Sequence, residues 1–342
     1  EGEYPMNEIC SYKTFHSYEC MNGCIYNYYI NKGILLERSD IFFAEAPVAI
    51  ALKEKNNTFC FSTNCHTTQK DFFVNHCGNF CQISCQNQTH AFDTVTKILE
   101  SNQIPVLNVS TDLLTYDITF QKNHGIHHYI TILGADSEQN KLYISDGYTP
   151  DFHTFQGWVD IETIYEAWKK EGFGIFLIAQ EICIDIQGIK KQARNHFFIT
   201  IDHYLNMEGS QIQRVPEEQE NIYGYKTIIN YLKYIAMLSV NDELVSNIEH
   251  VLFQIKFKGF LTIKYFINDY LVHYFADTNE AIQYKKILDR WQHFCLLLLK
   301  AAYYKKNDKV NDVINHSLLL IKDEALILNA ISKLSTNGRF SV

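Results

Sequence analysis

The chain has 342 residues, of which 46% are hydrophobic and 20% are charged, and its formal net charge is −9. This composition is typical of a folded protein with a sizeable core, and the length favours two domains over one. General nucleic-acid binding needs a basic face, so the negative charge argues against it. No hydrophobic stretch reaches the roughly 18 residues of a transmembrane helix, and the amino-terminal segment lacks the pattern of a signal peptide. We therefore expect a cytoplasmic protein that binds neither nucleic acid nor membrane.

The first strong pattern is a helix over Cys20–Lys32. Its hydrophobic residues recur at helical spacing, and Gly33 is placed to end it. Cys20 would then be the first helical residue, where unpaired backbone N–H groups and the helix dipole stabilise a thiolate. This position suits a nucleophile. Cys24, one turn further along, lies on the hydrophobic face, and we interpret it as a core residue.

The next segments alternate between predicted helices and strands. They are a helical segment over Ser39–Leu52 interrupted at Pro47, a strand over Thr58–Ser62, a helix over Thr67–Cys77, a strand over Phe80–Cys85 and an amphipathic helix over Thr89–Ser101.

Eight of the ten cysteines lie between Cys10 and Cys85. A disulfide framework, structural zinc, reactive thiols and reduced core thiols are all open interpretations of such a cluster. No pair has the C-x₂-C spacing of a zinc knuckle. Cys81, Ile83 and Cys85 alternate with polar residues, as on one buried face of a strand, and free cysteine packs well as a small hydrophobe. We therefore favour reduced core thiols and predict no metal site.

Three strands follow in the central stretch. They are Val106–Val109, His128–Gly134 and Lys141–Asp146, and the short polar turn between the last two predicts a β-hairpin. In an antiparallel pair the start of one strand lies beside the end of the next. We therefore expect the imidazole of His128, which begins the second strand, to lie beside the carboxylate of Asp146, which ends the third. The two side chains would meet at one edge of the sheet.

The sequence thus predicts a catalytic triad of Cys20, His128 and Asp146, in which the histidine is the base and the aspartate orients it. Two other histidines lie nearby. His127 is adjacent and points to the opposite face of the strand, whereas His124 lies in the preceding loop. His128 is preferred because the hydrophobic strand follows it directly.

The pattern becomes almost entirely helical after residue 187. Before that point a helix over Ile161–Glu171 and a buried strand over Gly174–Ile182 complete the mixed region. The later predicted helices are Ile189–Met207, Tyr223–Val240, Asp242–Lys258, Gly259–Ala276, Asn279–Tyr304 and Asp308–Ser335. We predict an α+β domain over residues 1–186 and a helical domain over residues 187–342.

The central motifs resemble the N-terminal domain of the butirosin biosynthesis protein H family. The residues concerned are Cys20 at the start of a helix, Pro105-Val106, Asp112, Tyr116, the segment HHYITILGAD that contains His128, and the segment KLYISDGY that contains Asp146. The resemblance covers roughly residues 15–150. It implies a papain-like cysteine-protease fold, with an N-terminal helix packed on an antiparallel sheet, followed by a C-terminal all-helical domain.

The resemblance extends to thiotemplated amide synthetases such as that of closthioamide biosynthesis. It implies that the protein is an amide-forming acyltransferase of natural-product biosynthesis. The acyl group would pass from the phosphopantetheine thioester of an acyl or peptidyl carrier protein through acyl-Cys20 to a small amine. No further cofactor is implied. Asp112, Tyr116 and His127 are expected to bind substrate, and a homodimer is left open. The alternatives are a papain-like cysteine peptidase or other hydrolase, and a non-catalytic binding protein of the same fold.

The sequence departs from the family pattern in three places. Thr115 stands where the family has proline before the tyrosine, and residues 44–55 replace a Gly-rich segment. The glutamine that papain relatives use to stabilise the oxyanion is missing. The backbone N–H of Cys20 is one candidate donor, and His16 and Tyr18 are candidates for the second.

An acidic carrier protein would need a basic docking patch on this acidic chain. Candidate patches, each equally consistent with a solvated helix face, are Lys190, Lys191 and Arg194; Lys169 and Lys170; and Lys305 and Lys306.

Overall fold

The computed structural model describes residues 11–55, 58–118, 120, 126–149, 153–179, 184–206 and 222–335. The elements in chain order are α1 (Cys20–Asn31), α2 (Arg38–Phe43), β1 (Ile50–Lys55), β2 (Thr58–Thr63), α3 (Cys65–His76), β3 (Gly78–Gln82), α4 (Gln88–Glu100), β4 (Ile104–Ser110), β5 (His127–Asp136), β6 (Lys141–Asp146), β7 (Phe155–Asp160), α5 (Ile161–Lys170), β8 (Gly174–Ile178), α6 (Ile186–Asn206), β9 (Ile222–Tyr223), α7 (Tyr225–Val240), α8 (Leu244–Phe257), α9 (Phe260–Tyr274), α10 (Asn279–Tyr303) and α11 (Asn307–Ser332).

The chain forms two compact units. The first comprises residues 1–41 and 69–189, and the second comprises residues 42–68 and 190–342. The division near residue 189 lies close to the boundary predicted after residue 186. Residues 42–68, which the prediction had assigned to the first domain, belong to the second unit, because β1 pairs with β9 as well as with β2.

A six-stranded antiparallel sheet forms the centre of the first unit, with the strand order β3-β8-β4-β5-β6-β7. The predicted hairpin of β5 and β6 is confirmed, and its register pairs Thr131 with Ser145. The strand β7 had no counterpart in the sequence prediction. Together with the helical carboxyl-terminal region, this sheet confirms the α+β organisation.

The two faces of this sheet carry different helices. Alternate residues of the central strands point to a hydrophobic core shared with α4 and α5, because side chains alternate between the faces of a strand. The strand residues in this core are Leu107, Val109, Ile130, Ile132, Leu142 and Ile144. On the other face, the Tyr129 ring packs edge-on against Phe176, with 5.5 Å between ring centroids.

The helix α1 begins and ends where the sequence indicates. Glu19 is its N-cap residue, and Gly33 follows it with a φ of 73°. This left-handed conformation is one that glycine adopts without steric cost, so Gly33 ends the helix as predicted.

The helix predicted over Ser39–Leu52 is wrong in its second half. The helix α2 ends at Phe43, and residues from Ile50 onward form β1. Leu52 of this strand lies opposite Phe61 of β2. Strand pairing of this kind overrides a local helical pattern, since it satisfies the backbone groups and buries the side chains together.

The cysteines that the structure describes are free thiols: Cys20, Cys24, Cys60, Cys65, Cys77, Cys81, Cys85 and Cys295. Cys81 and Cys85 are more buried than the polar residues between them, which agrees with a packing role. Among the described residues no group of three or more His, Cys, Asp or Glu side chains could hold a metal ion. Cys10 and Cys183 lie outside the described residues.

The second unit combines the three-stranded sheet β2-β1-β9 with helices packed on one another. Its core encloses an ion pair between Lys264 of α9 and Glu324 of α11, joined at 2.5 Å between Nζ and Oε1. Both side chains are almost fully buried, with exposures of 2% and 0%. No helix in the described ranges combines the length and hydrophobicity needed to cross a membrane.

Polar and aromatic groups surround this ion pair. The Lys264 ammonium also donates to the Tyr204 hydroxyl at 2.7 Å, and it lies 4.5 Å from the centroid of the Phe260 ring. The Trp291 indole N–H donates to Glu324 Oε2 at 3.0 Å. Burial lowers the pKa of Lys264, while Glu324 opposes that change. Such a pair is costly to break, because removing one partner leaves an uncompensated buried charge.

We expect Lys264→Met and Glu324→Gln each to lower the free energy of unfolding by about 3–5 kcal/mol. The double variant, which buries no charge, should lose less than the sum of the two losses. Denaturant unfolding of the four proteins in a double-mutant cycle measures this difference. The exposed pair Arg290 and Asp323, joined at 2.7 Å, is the control, with an expected coupling of about 0–1 kcal/mol. Additive losses at Lys264 and Glu324 would contradict the assignment.

Candidate functional site

Cys20 is the first residue of α1, as the sequence predicts, and it lies beside a carboxylate. Glu19 Oε2 accepts a hydrogen bond from the backbone N–H of Asn22 at 2.6 Å. The other carboxylate oxygen, Oε1, accepts a hydrogen bond from the Cys20 thiol at 3.4 Å. The side chain of Glu19 therefore caps the helix and binds the thiol hydrogen at the same time.

This arrangement overturns the expectation that the helix start stabilises a thiolate here. Burial of the Cys20 thiol raises its pKa, and the Glu19 carboxylate raises it further, while a hydrogen bond from the backbone of Tyr129 opposes both effects. The positive end of the helix dipole would favour an anion, but the Glu19 carboxylate already occupies that position. The resting thiol of Cys20 is therefore protonated.

His128 and Asp146 form the hydrogen-bonded pair that the hairpin register predicts. His128 Nε2 lies 2.7 Å from Asp146 Oδ2, and the two side chains are 2% and 0% exposed. Both lie on the face of the sheet that carries Val109 and Ile144, since residues two apart in a strand point the same way. An aspartate carboxylate accepts hydrogen bonds, so it holds the imidazole proton on Nε2 and leaves Nδ1 as the basic nitrogen.

The Asp146 carboxylate accepts two more hydrogen bonds. The Tyr116 hydroxyl donates to Oδ2 at 2.8 Å, and the backbone N–H of Tyr148 donates to Oδ1 at 2.9 Å. Burial raises the pKa of Tyr116, and the Asp146 charge raises it further, so this phenol stays a donor. Both carboxylate oxygens therefore have partners, as a buried charge requires.

An aromatic ring covers the imidazole of His128. The Phe120 ring centroid lies 4.7 Å from that of His128, and the Tyr148 ring centroid lies 6.2 Å away. These contacts restrict rotation of the imidazole, so its hydrogen bond to Asp146 fixes the direction in which Nδ1 points.

The helix that carries Cys20 contacts the residue that follows His128. The Cys24 thiol donates to the backbone oxygen of Tyr129 at 3.5 Å, and the backbone of Tyr129 also bonds to the Cys20 sulfur. Within the described part of the chain, no hydrogen bond joins the Cys20 sulfur to the His128 ring. Nucleophile–base hydrogen bonds are often long in the absence of substrate and shorten on binding.

Two glycines allow α1 to approach the end of β6. A Cβ at Gly147 would lie 2.6 Å from Asn27 Nδ2 and 2.9 Å from the backbone oxygen of Phe15. It would also lie 3.5 Å from the Cα of Gly23. The Ser17 N–H donates to the Gly147 carbonyl at 2.7 Å. This close packing places the start of α1 next to Asp146.

The three residues predicted to bind substrate have structural partners. Tyr116 bonds to Asp146. Asp112 forms an ion pair with Lys170 at 2.5 Å, and His127, whose side chain is 68% exposed, pairs with Glu171. Burial raises the pKa of Asp112, but hydrogen bonds from Lys170 and Ser110 outweigh it and lower that pKa. Substrate contact by these residues stays a prediction.

The candidate oxyanion donors His16 and Tyr18 lie against Arg38. The Arg38 guanidinium donates to the His16 carbonyl at 2.7 Å and lies 5.1 Å from the centre of the Tyr18 ring. Burial and the charge of Arg38 lower the pKa of His16 to about 4, so its imidazole is neutral at pH 7. Their role as donors stays a prediction, and the rival base His124 lies outside the described residues.

Sequence reasoning missed two members of the site. Glu19 directly precedes the predicted nucleophile, but glutamate is not among the residues preferred at an N-cap, so the sequence gives no signal for its capping role. The contribution of Tyr148 comes from its backbone N–H, so its side chain gives no signal.

We expect Glu19→Gln to lower the apparent pKa of Cys20, because it removes a neighbouring negative charge. The measurement is the rate of iodoacetamide alkylation at Cys20 against pH, followed by peptide mass mapping so that other thiols do not contribute. At pH 7 the variant should react faster than the native protein. Glu138→Gln, at an exposed hairpin position, is the matched control. An unchanged pH profile in Glu19→Gln would show that the carboxylate does not govern the thiol.

The chain was compared with protein-family models and with curated proteins. No protein-family model matches the chain, and no curated protein matches it. The arguments about function therefore rest on the residues and their geometry.

Proposed function

We propose that this protein is an amide-forming acyltransferase with a papain-like arrangement of Cys20, His128 and Asp146. The observation that carries the proposal is the buried hydrogen bond of 2.7 Å between His128 and Asp146, beside the backbone that contacts the sulfur of Cys20. A base held by a buried carboxylate, in the same unit as a thiol at the start of a helix, is suited to nucleophilic acyl transfer.

In the first half-reaction, His128 Nδ1 accepts the thiol proton of Cys20, and the sulfur attacks the carbonyl carbon of an acyl thioester. The new carbon–sulfur bond forms as the bond to the donor thiol breaks. The imidazolium returns its proton to the leaving thiolate, so that acyl-Cys20 and a free thiol are produced. Asp146 stabilises the imidazolium and keeps the ring in one orientation.

In the second half-reaction, an amine attacks the acyl-Cys20 carbonyl while His128 accepts the amine proton. The amide forms, the carbon–sulfur bond breaks, and the proton passes to the Cys20 sulfur. The acceptor nitrogen must be an uncharged amine to attack. We therefore expect the rate to rise with pH until the acceptor is fully deprotonated.

The donor is proposed to be a thioester on a phosphopantetheinyl carrier protein. Of the basic patches considered for docking, Lys170 is paired with Asp112 and Lys169 lies 3.6 Å from Glu166. Exposed pairs such as these contribute little to stability and can exchange partners. Lys191 and Arg194 border a surface depression on α6 that Asp202 also lines.

The decisive experiment mixes the protein with a model acyl thioester, with and without a diamine, and records intact mass. The native protein should gain the acyl mass at Cys20, and the diamine should discharge it as amide. Cys20→Ala should gain nothing, and His128→Ala should acylate more slowly by about 10²–10⁴-fold. Cys81→Ala, which removes a half-buried thiol elsewhere, is the control and should acylate normally.

The other outcomes identify the alternative functions. Discharge as free acid, whether or not the diamine is present, would favour a hydrolase with the same three residues. No acyl adduct on either the native protein or Cys20→Ala, with a thioester that acylates simple thiols, would favour a non-catalytic binding protein.

A further inference from the structure

A groove lies along the paired helices α10 and α11 of the second unit. It has a volume of about 600 Å³, which falls in the range of small-molecule sites. Its lining runs from Arg290 to Tyr304 on one side, a distance of about 21 Å at the rise of an α-helix. The groove is therefore long and narrow.

Hydrophobic side chains in this groove remain exposed to solvent. Leu297, Tyr304 and Leu319 are 37%, 64% and 57% exposed, and all three line the groove. Buried Phe294 and Leu320 form part of its floor. Single exposed hydrophobic residues are common, but a contiguous set along one groove marks a binding surface.

The charges at the two ends of the groove differ. Of the residues that line the groove near the α10–α11 turn, Lys300, Lys306 and Lys309 are basic and Asp312, which is 3.4 Å from Lys309, is acidic. At the other end Arg290 is neutralised by Asp323. The groove thus has a net positive end in a chain whose net charge is −9, and a neutral end.

We propose that the α10–α11 groove binds a single-chain amphiphilic anion, a long-chain fatty carboxylate, with its head at Lys300 and Lys306 and its chain along Leu297 and Leu319. The length, the hydrophobic lining and the charge at one end all match this chemistry. The proposal goes beyond the acyl-transfer function and does not depend on Cys20.

The test is isothermal titration of the full-length protein with octanoate, dodecanoate and palmitate below their critical micelle concentrations. Affinity should rise with chain length, because each methylene buried in the groove adds to the binding free energy. Palmitate methyl ester, which lacks the charged head, should bind more weakly than palmitate.

Two variants separate the head from the chain. The double variant Lys300→Glu and Lys306→Glu should weaken palmitate binding by about tenfold and leave the methyl ester unchanged. Leu319→Asp should weaken both. The double variant Lys285→Glu and Lys286→Glu makes the same charge change on exposed positions of α10 outside the groove, and it should bind palmitate like the native protein.

Several results would overturn the proposal. These are the absence of palmitate binding, equal weakening by the two charge variants, and binding that none of the groove variants changes. Light scattering gives an independent check, because a dimer that Leu319→Asp dissociates, without palmitate binding, would assign the groove to a second copy of the chain. Unfolding midpoints show whether each variant is folded.

Discussion

The buried carboxylate of Asp146 constrains the whole of the candidate site. A carboxylate that has lost its water must recover hydrogen bonds from the protein, and here the donors come from Tyr116, His128 and Tyr148. These residues follow β4, begin β5 and follow β6. One charge therefore ties the ends of neighbouring strands together, and the orientation of the imidazole is set by the same contacts that hold this edge of the sheet.

The start of α1 already has a carboxylate bound to it. Its unpaired N–H groups favour negative charge, and in the resting protein Glu19 supplies that charge. A developing thiolate on Cys20 would lie beside this carboxylate, which now accepts the thiol hydrogen, and the two negative charges would repel each other. Catalysis by Cys20 would thus need Glu19 to move or to become protonated when a substrate enters, so substrate binding and activation of the thiol would be linked.

Local sequence patterns predicted many of the helices and strands of this molecule. Most of the features that they did not predict depend on pairing between residues that are distant in the chain. The β5–β6 hairpin and the position of Cys20 follow from alternation, a polar turn and a glycine, all close in sequence. By contrast, β1 exists because Leu52 pairs with both Phe61 and Ile222, and the last partner is distant in the chain. The pairing of Asp112 with Lys170 is likewise invisible to local periodicity. The Glu19 cap is also not predictable from the sequence, because glutamate is not a preferred N-cap residue.

The protonated state of Cys20 also affects how fast its sulfur is oxidised. Peroxides attack the thiolate, and the first product, a sulfenic acid, leads on to irreversible sulfinic and sulfonic acids. A cysteine whose neighbouring carboxylate keeps it as a thiol reacts slowly along that route. The Glu19–Cys20 hydrogen bond would therefore protect the sulfur between turnovers and expose it to oxidation only while the carboxylate is displaced.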